Sequence, residues 1–289
     1  MLGDMNERSA LPLSYSPAAE TSTAVPATPV AVRLLQSVQD LQRAEGLLTE
    51  VWGGRAGESP MALDILCALS FTGGYVVGAF ADDVMVGVTA GFRTVHGSLH
   101  SHVAGVLAPY RGLGVGRTMK RHQLAWAAER GMTSISWTFD PLIRRNAYFN
   151  LNRLGAVAER FIPDFYGPLA DGINEGEPTD RLFVSWRTDS AASTVPTGVG
   201  EEQPALDAFA PLLDVGRDED PVLRVVTAPL LRIATPVDSE AMRHDDKVAA
   251  GRWRMQMRTA IGTALAEGYQ IVGFHPAGWY LLRRKDSLR

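Results

Sequence analysis

The run Arg111-Gly112-Leu113-Gly114-Val115-Gly116 sets three glycines at alternate positions. Glycine allows positive φ and leaves backbone N–H groups uncovered, so such a turn can aim several donors at one oxyanion. Ahead of it, His102-Val103-Ala104-Gly105-Val106-Leu107 reads as a strand; behind it, Val115, Met119 and Trp126 form the apolar stripe of a helix ending near Gly131. The first turn of a helix adds unpaired N–H groups and the positive end of its dipole. Strand, glycine turn and helix together make a trap for a pyrophosphate. A P-loop would need lysine where Arg117 stands, and a G-x-G-x-x-G dinucleotide turn needs glycine at Arg117 or at Met119. Asp140 does stand about where that second scheme expects a ribose-binding acid, but the missing glycine weighs more.

A third pattern fits without exception. Arg111-x-x-Gly114-x-Gly116, preceded by Val106-Leu107-Ala108-Pro109-Tyr110, resembles the coenzyme A loop of the GNAT N-acyltransferase superfamily. That resemblance implies an α/β (α+β) fold whose mixed, mostly antiparallel sheet splits into a V and is flanked by helices. It implies acetyl-CoA or another acyl-CoA as donor, succinyl-CoA included, and no metal. Gly112, Gly114 and Gly116, with the neighbouring Leu113, Val115 and Arg117, would hold the pyrophosphate. Arg111 and Asn146 would touch the same molecule, and the Val106 and Leu107 backbone would pair with pantetheine as a strand does.

Acyl transfer to an amine needs a base for the ammonium proton and a proton for the departing thiolate. The resemblance places His102 at the position of the superfamily's base, and an imidazole pKa near 6.5 suits that work. His100, two residues earlier, shares its face and is a second candidate, at the acceptor rim. The superfamily's acid is a tyrosine, and Leu151 stands in its place. Tyr148 and Tyr166 are the nearby substitutes; unassisted departure is the alternative, since a thiol pKa near 8.5 makes a tolerable leaving group. The superfamily's cofactor asparagine has no match at its usual spacing, and Asn146 and Asn150 lie close by.

Between Asp164 and Arg181 the chain is polar and rich in Gly and Pro, although strands flank it. Asp171, Asn174, Thr179, Asp180 and Arg181 offer recognition of an acceptor, carboxylates for an ammonium and arginine for a carboxylate. The alternative is a surface loop held by its own turns. The set His100-x-His102, Asp140-Pro141-Leu142, Asn150-Leu151-x-x-Leu154-Gly155, Tyr166-Gly167 and Pro178-Thr179-Asp180-Arg181 is similar to a bacterial branch of the superfamily associated with N-acylamino-acid racemases. That branch implies a small amino acceptor such as an amino acid. An antibiotic or secondary-metabolite amine, or a non-catalytic acyl-CoA-binding module, are the competing readings.

Composition narrows the classes. The chain has 289 residues, 46% of them hydrophobic, which is enough for packed cores. A formal net charge of −4 argues against nucleic acid or an anionic membrane as partner. The single cysteine, Cys67, sits in an apolar helical run, and no disulfide framework exists, so a reducing cytoplasm is expected. No apolar run has spanning length, and no signal peptide is read.

Residues 1–29 read as a disordered tail and 30–190 as the acyltransferase domain, with elements in the order β-α-α-β-β-β-α-β-α-β-β. A helix is expected over Ile143 to Leu154. Residues 191–221 read as a linker and 222–289 as an accessory α/β subdomain, which also offers a homodimer surface. Its long helix places Trp253, Met257, Ala260, Ile261 and Ala264 on one face, with Arg252, Arg254 and Arg258 off it.

Overall fold

A computed structural model describes residues 30–53, 59–167, 177–189 and 204–285. Two sheets organise them. The first holds β1 (Val30–Leu34), β2 (Tyr75–Ala81), β3 (Val84–Arg93), β4 (Leu99–Val106), β5 (Ser134–Phe139), β6 (Val157–Ile162) and β7 (Arg181–Arg187), in the order β1-β2-β3-β4-β5-β7-β6. All its pairings are antiparallel except β4 with β5. The order and the mixed sheet are those expected.

Helices cover both faces. On one, α1 (Val38–Val51) and α2 (Leu63–Phe71) bury Leu41, Leu48 and Leu66 against Val76, Val88 and Val103. Ser37 caps α1 by accepting from the Asp40 N–H. On the other face, α3 (Val115–Glu129) buries Leu124, Trp126 and Ala127 with Tyr75, Leu99 and Trp137.

The expected helix over Ile143 to Leu154 is corrected to one short α turn, α4 (Arg144–Ala147), running into a π-helical stretch over Tyr148–Arg153. The Leu154 N–H reaches back five residues to the Phe149 carbonyl at 3.0 Å. Hydrophobic periodicity does not distinguish the wider turn from the ordinary one.

The second sheet has the order β11-β12-β10-β8-β9, from β8 (Ala210–Val215), β9 (Pro221–Leu223), β10 (Leu230–Ala234), β11 (Tyr269–His275) and β12 (Trp279–Arg284). Thus β8 falls inside the stretch expected to be linker, and β9 begins at its last residue. Leu212 and Leu213 are adjacent and both buried, so β8 shows no alternation to betray it. Two helices, α5 (Ser239–Asp245) and α6 (Lys247–Ala266), accompany this sheet, and the Asp246 carboxylate caps α6 through the Ala249 N–H.

The two sheets share one apolar cluster, which holds Trp137, Phe139 and Trp186 of the first, Phe274 and Tyr280 of the second, and Trp253 and Met257 of α6. Polar ties reinforce the joint. Arg254 grips Asp140 with two hydrogen bonds of 2.7 and 2.8 Å, and Arg243 pairs with the same carboxylate. Arg258 holds Asp180 at 2.6 Å, Asn152 exchanges two hydrogen bonds with Phe274, and Tyr280 donates to the Pro141 carbonyl. Arg254, expected off the packed face, is therefore 2% exposed and part of the joint. None of the helices among the described residues is long and apolar enough to cross a membrane.

Candidate functional site

The site is built where β4 and β5 part. Only Leu99↔Ile135 and His100↔Ser136 pair across these parallel strands. Beyond His100 the ladder stops, and the rest of β4 has no partner on β5. On its other edge β4 stays paired with β3 through Val106, with a single irregularity: Ala90 faces Val103 and Gly91 faces Ser101, so His102 has no partner. It is a β-bulge at the mouth of a gap, a place where bulges commonly re-aim a side chain. Gly91 permits the close approach, because a Cβ there would lie 2.6 Å from the His100 carbonyl oxygen.

The bulge also sorts the faces. Leu99 packs with α3, and Ser101 accepts from Lys120 of α3, so His100 between them looks to the opposite side. His100 faces its cross-strand partner Phe92 with ring centroids 5.4 Å apart, and His102 lies 5.7 Å from the same ring. The two imidazoles are 6.5 Å apart, so the structure brings the two predicted histidines together on one side. The Nδ1 of His100 is 3.3 Å from the Ser136 hydroxyl. Burial lowers the proton affinity of both rings, and for His100 the charges of His102 and Lys120 lower it further. Both are held as neutral bases at neutral pH.

From the bulge the gap runs to the glycine turn. The Leu107 N–H donates to the Val86 carbonyl at 3.0 Å, and its own carbonyl accepts from Tyr110. Leu107 was expected to offer its backbone to pantetheine; both groups are already taken. By the alternation of an antiparallel ladder, the N–H and C=O of Val106 then point into the gap. The Val106 carbonyl accepts from the Arg111 Nε at 3.0 Å.

At the turn, Gly112 (φ 79°) and Gly114 (φ 85°) are left-handed, the conformation that glycine adopts without steric penalty. Gly114 is the N-cap of α3, and no side chain caps it. The N–H groups at the start of α3 are thus left for an anion, beside exposed Leu113 and half-buried Arg117. Gly116 is ordinary helix, and a Cβ there would meet only Phe149 at 3.7 Å. Gly114→Val should cost about 1–2 kcal/mol of left-handed strain. The KM for acyl-CoA should rise about 5- to 30-fold with kcat little changed, as read in steady-state kinetics.

The remaining predicted residues are placed as follows. Tyr148 is half-buried against the shared apolar cluster, with the Arg153 guanidinium 5.5 Å from its ring. Tyr166 is 39% exposed, stacked edge-on to Phe165 and 5.4 Å from the Arg181 guanidinium. Asn146 is half-buried, and Asn150 is spent on the Trp137 indole at 3.0 Å. Asp171 and Asn174 lie outside the described residues.

Asp180 is fully buried, accepting from the Asp164 N–H and from Arg258, and Thr179 holds the Tyr166 N–H and the Gly167 carbonyl. Arg181 is 7% exposed and donates to the Asp180 carbonyl. These contacts tie the described residues 164–167 to 179–181 and to α6. Asp140, weighed as a ribose acid, is the buried anion of the inter-sheet joint.

The buried group that sequence reasoning missed is Lys120. With Arg117 and Arg121 it makes a basic cluster that, read by sequence alone, suits phosphates or a solvated helix face, but its ammonium is buried beneath β4 and β5. The available signal was its spacing: Lys120 adjoins Met119 and precedes Gln123 and Leu124 on the buried stripe.

Residues 39–152 match the model of the Acetyltransferase (GNAT) family. No curated protein matches the chain. Among solved structures, Arabidopsis thaliana Naa50 in complex with the bisubstrate analogue CoA-Ac-MVNAL is 23% identical, with TM-score 0.43, covering 54% of this chain and 97% of that one. The ribosomal-protein-S18-alanine N-acetyltransferase of Escherichia coli is 13% identical, with TM-score 0.46 and coverage of 56% and 96%. The Salmonella typhimurium protein yncA, solved with its cofactor acetyl-CoA, is 14% identical, with TM-score 0.45 and coverage of 56% and 96%.

Proposed function

We propose that this chain, whose residues 39–152 match the acetyltransferase (GNAT) family model, transfers an acyl group from an acyl-CoA to the amine of a small molecule by direct attack within a ternary complex. The observation that carries this reading is the open edge of β4, which runs from uncapped helix N–H groups at one end to an unpaired histidine at the other. The N–H groups about Gly114 to Arg117 hold the pyrophosphate, with Gly112 shaping the turn. The Val106 N–H and carbonyl align the pantetheine arm once Arg111 yields the oxygen it now occupies. The donor supplies an activated acyl carbon with a thiolate leaving group.

His102 takes the ammonium proton of the acceptor, which approaches from the side of Phe92 and His100. Phe92 is 42% exposed and gives that side an apolar wall. Its neighbours are uncharged imidazoles, and such a wall suits an amino acid or related small amine better than a polycation. Acetyl is the leading acyl group, with succinyl the alternative.

The test is thiol release from acetyl-CoA and from succinyl-CoA against D- and L-amino acids and aminoglycosides. Release above hydrolysis with at least one amino acid is the expected result. A protein that releases no thiol with any pair is not this enzyme.

A further inference from the structure

We propose that Lys120 is the acid that protonates the departing thiolate, reaching the closed end of the gap from the face opposite His102. The inference rests on the acyl-transfer reading above and supplies its proton donor. The last ladder pair between β4 and β5 is His100↔Ser136. The next residue on each strand is Ser101 and Trp137, and the Lys120 ammonium touches both. It donates to the Ser101 hydroxyl at 2.9 Å and lies 3.9 Å from the centre of the Trp137 ring. A third contact, 3.1 Å to Gln123 Oε1, comes from its own helix. The ammonium therefore stands under the point where the strands diverge. The proposal requires that a thioester drawn in along β4 as far as His102 bring its sulfur to that point.

The surroundings leave this lysine poised rather than locked. The strands packed against α3 carry as charged or titratable groups Arg33 of β1, Tyr75 of β2, Arg93 of β3, and His100 and His102 of β4; Arg33 pairs with Asp40, Arg93 reaches the Arg130 carbonyl, and the Tyr75 hydroxyl is bonded to His122 at 2.9 Å. No carboxylate among the described residues forms an ion pair with Lys120, and burial pushes its pKa down to about 7. A purely structural role would be better filled by an apolar side chain, since an uncompensated buried ammonium costs stability.

The step balances as follows. The acceptor, relieved of one proton by His102, forms its C–N bond to the acyl carbon and sheds its second proton to water. The C–S bond breaks, and the sulfur takes a proton from the Lys120 ammonium, which becomes a neutral amine. Lys120 regains a proton from solvent as the thiol leaves, so the turnover yields amide, thiol and one free proton.

Lys120→Met tests the assignment in the full chain. In it, kcat should fall about 100-fold. The descending limb of the pH profile, centred near 7 in the parent, should disappear. CoA affinity by tryptophan fluorescence should stay within about threefold, a difference of less than about 1 kcal/mol. The melting temperature should hold or rise. An unchanged kcat and pH profile in Lys120→Met, beside an active parent, overturns Lys120 alone. A mass increase on Lys120 after incubation with acetyl-CoA would make it an acyl acceptor and also overturn the acid role. A parent that binds CoA but releases no thiol defeats the acyl-transfer reading and this inference with it. If Lys120→Met fails to fold, Ser101→Ala removes the hydrogen bond that aims the ammonium. It should lower kcat and move the same limb, and no change in either overturns the proposal.

Discussion

His102→Ala should lower kcat for acyl transfer by about 10²–10⁴-fold, the range spanned by losing a positioned general base. The expectation is specific because three features converge on this residue. It is the β4 position skipped by β3, it lies past the end of the β5 ladder, and its ring stands beside an exposed aromatic wall. Burial disfavours the imidazolium, so the ring titrates below its ordinary value of 6.5. A group of lowered pKa is already the free base at neutral pH. The rate should therefore climb with pH through a midpoint below 6.5, before the descending limb assigned to Lys120 sets in near 7. In His102→Ala that ascending limb should vanish, with the KM for acyl-CoA unchanged, because the histidine lies at the far end of the gap from the glycine turn. His100→Ala should keep the limb. A His102→Ala profile that still rises with the parent's midpoint would assign the base elsewhere.

Asp140→Asn should destabilise the protein by about 3–5 kcal/mol, the cost of removing one member of a buried ion group. Asp140 is 6% exposed and sits between Arg243 and Arg254, which are each 2% exposed. Amidation would leave those two guanidinium groups with Glu177, 3.3 and 3.8 Å away, as the nearby anion. Burial alone would raise the Asp140 pKa, but the charge and hydrogen bonds of Arg254, then the charge of Arg243, reverse the effect and hold it well below 3.8. A depressed carboxylate contributes its stability above the unfolded pKa and loses it as pH falls through the folded one. The gap between parent and variant should therefore be full from neutrality down to about pH 4 and close only in stronger acid. Urea midpoints measured across that range decide the matter, and a difference under about 1 kcal/mol at neutral pH would show that the joint does not depend on this carboxylate.

What the sequence revealed and what it hid follow from the range of the forces involved. The glycine turn, the helix behind it and the alternating strands are local patterns, and they appear where periodicity put them. The pairing of His100 and His102 was legible because they are two residues apart on one strand. The parting of β4 from β5 was legible only through the family resemblance. The bulge at His102 was not legible at all, since it is a mismatch between two strands rather than a property of either.

Asp140 looked like a ligand-binding acid because the arginines that claim it come from more than a hundred residues away. Asp180 is held by Arg258, 78 residues away, a partner that no local pattern shows. Lys120 was hidden by its type: a lysine among other basic residues is assigned to solvent unless its place on the buried stripe is given more weight.

The geometry of β4 carries one more implication. Ser101 and Val103 already face consecutive residues of β3, and their side chains already turn to opposite helices. Excising position 102 would heal the ladder rather than tear it, and every neighbour would keep its side. A shortened protein of that kind should fold at least as readily as the parent and do nothing with a thioester. The strand is one residue longer than its hydrogen bonding requires, and the surplus is the imidazole.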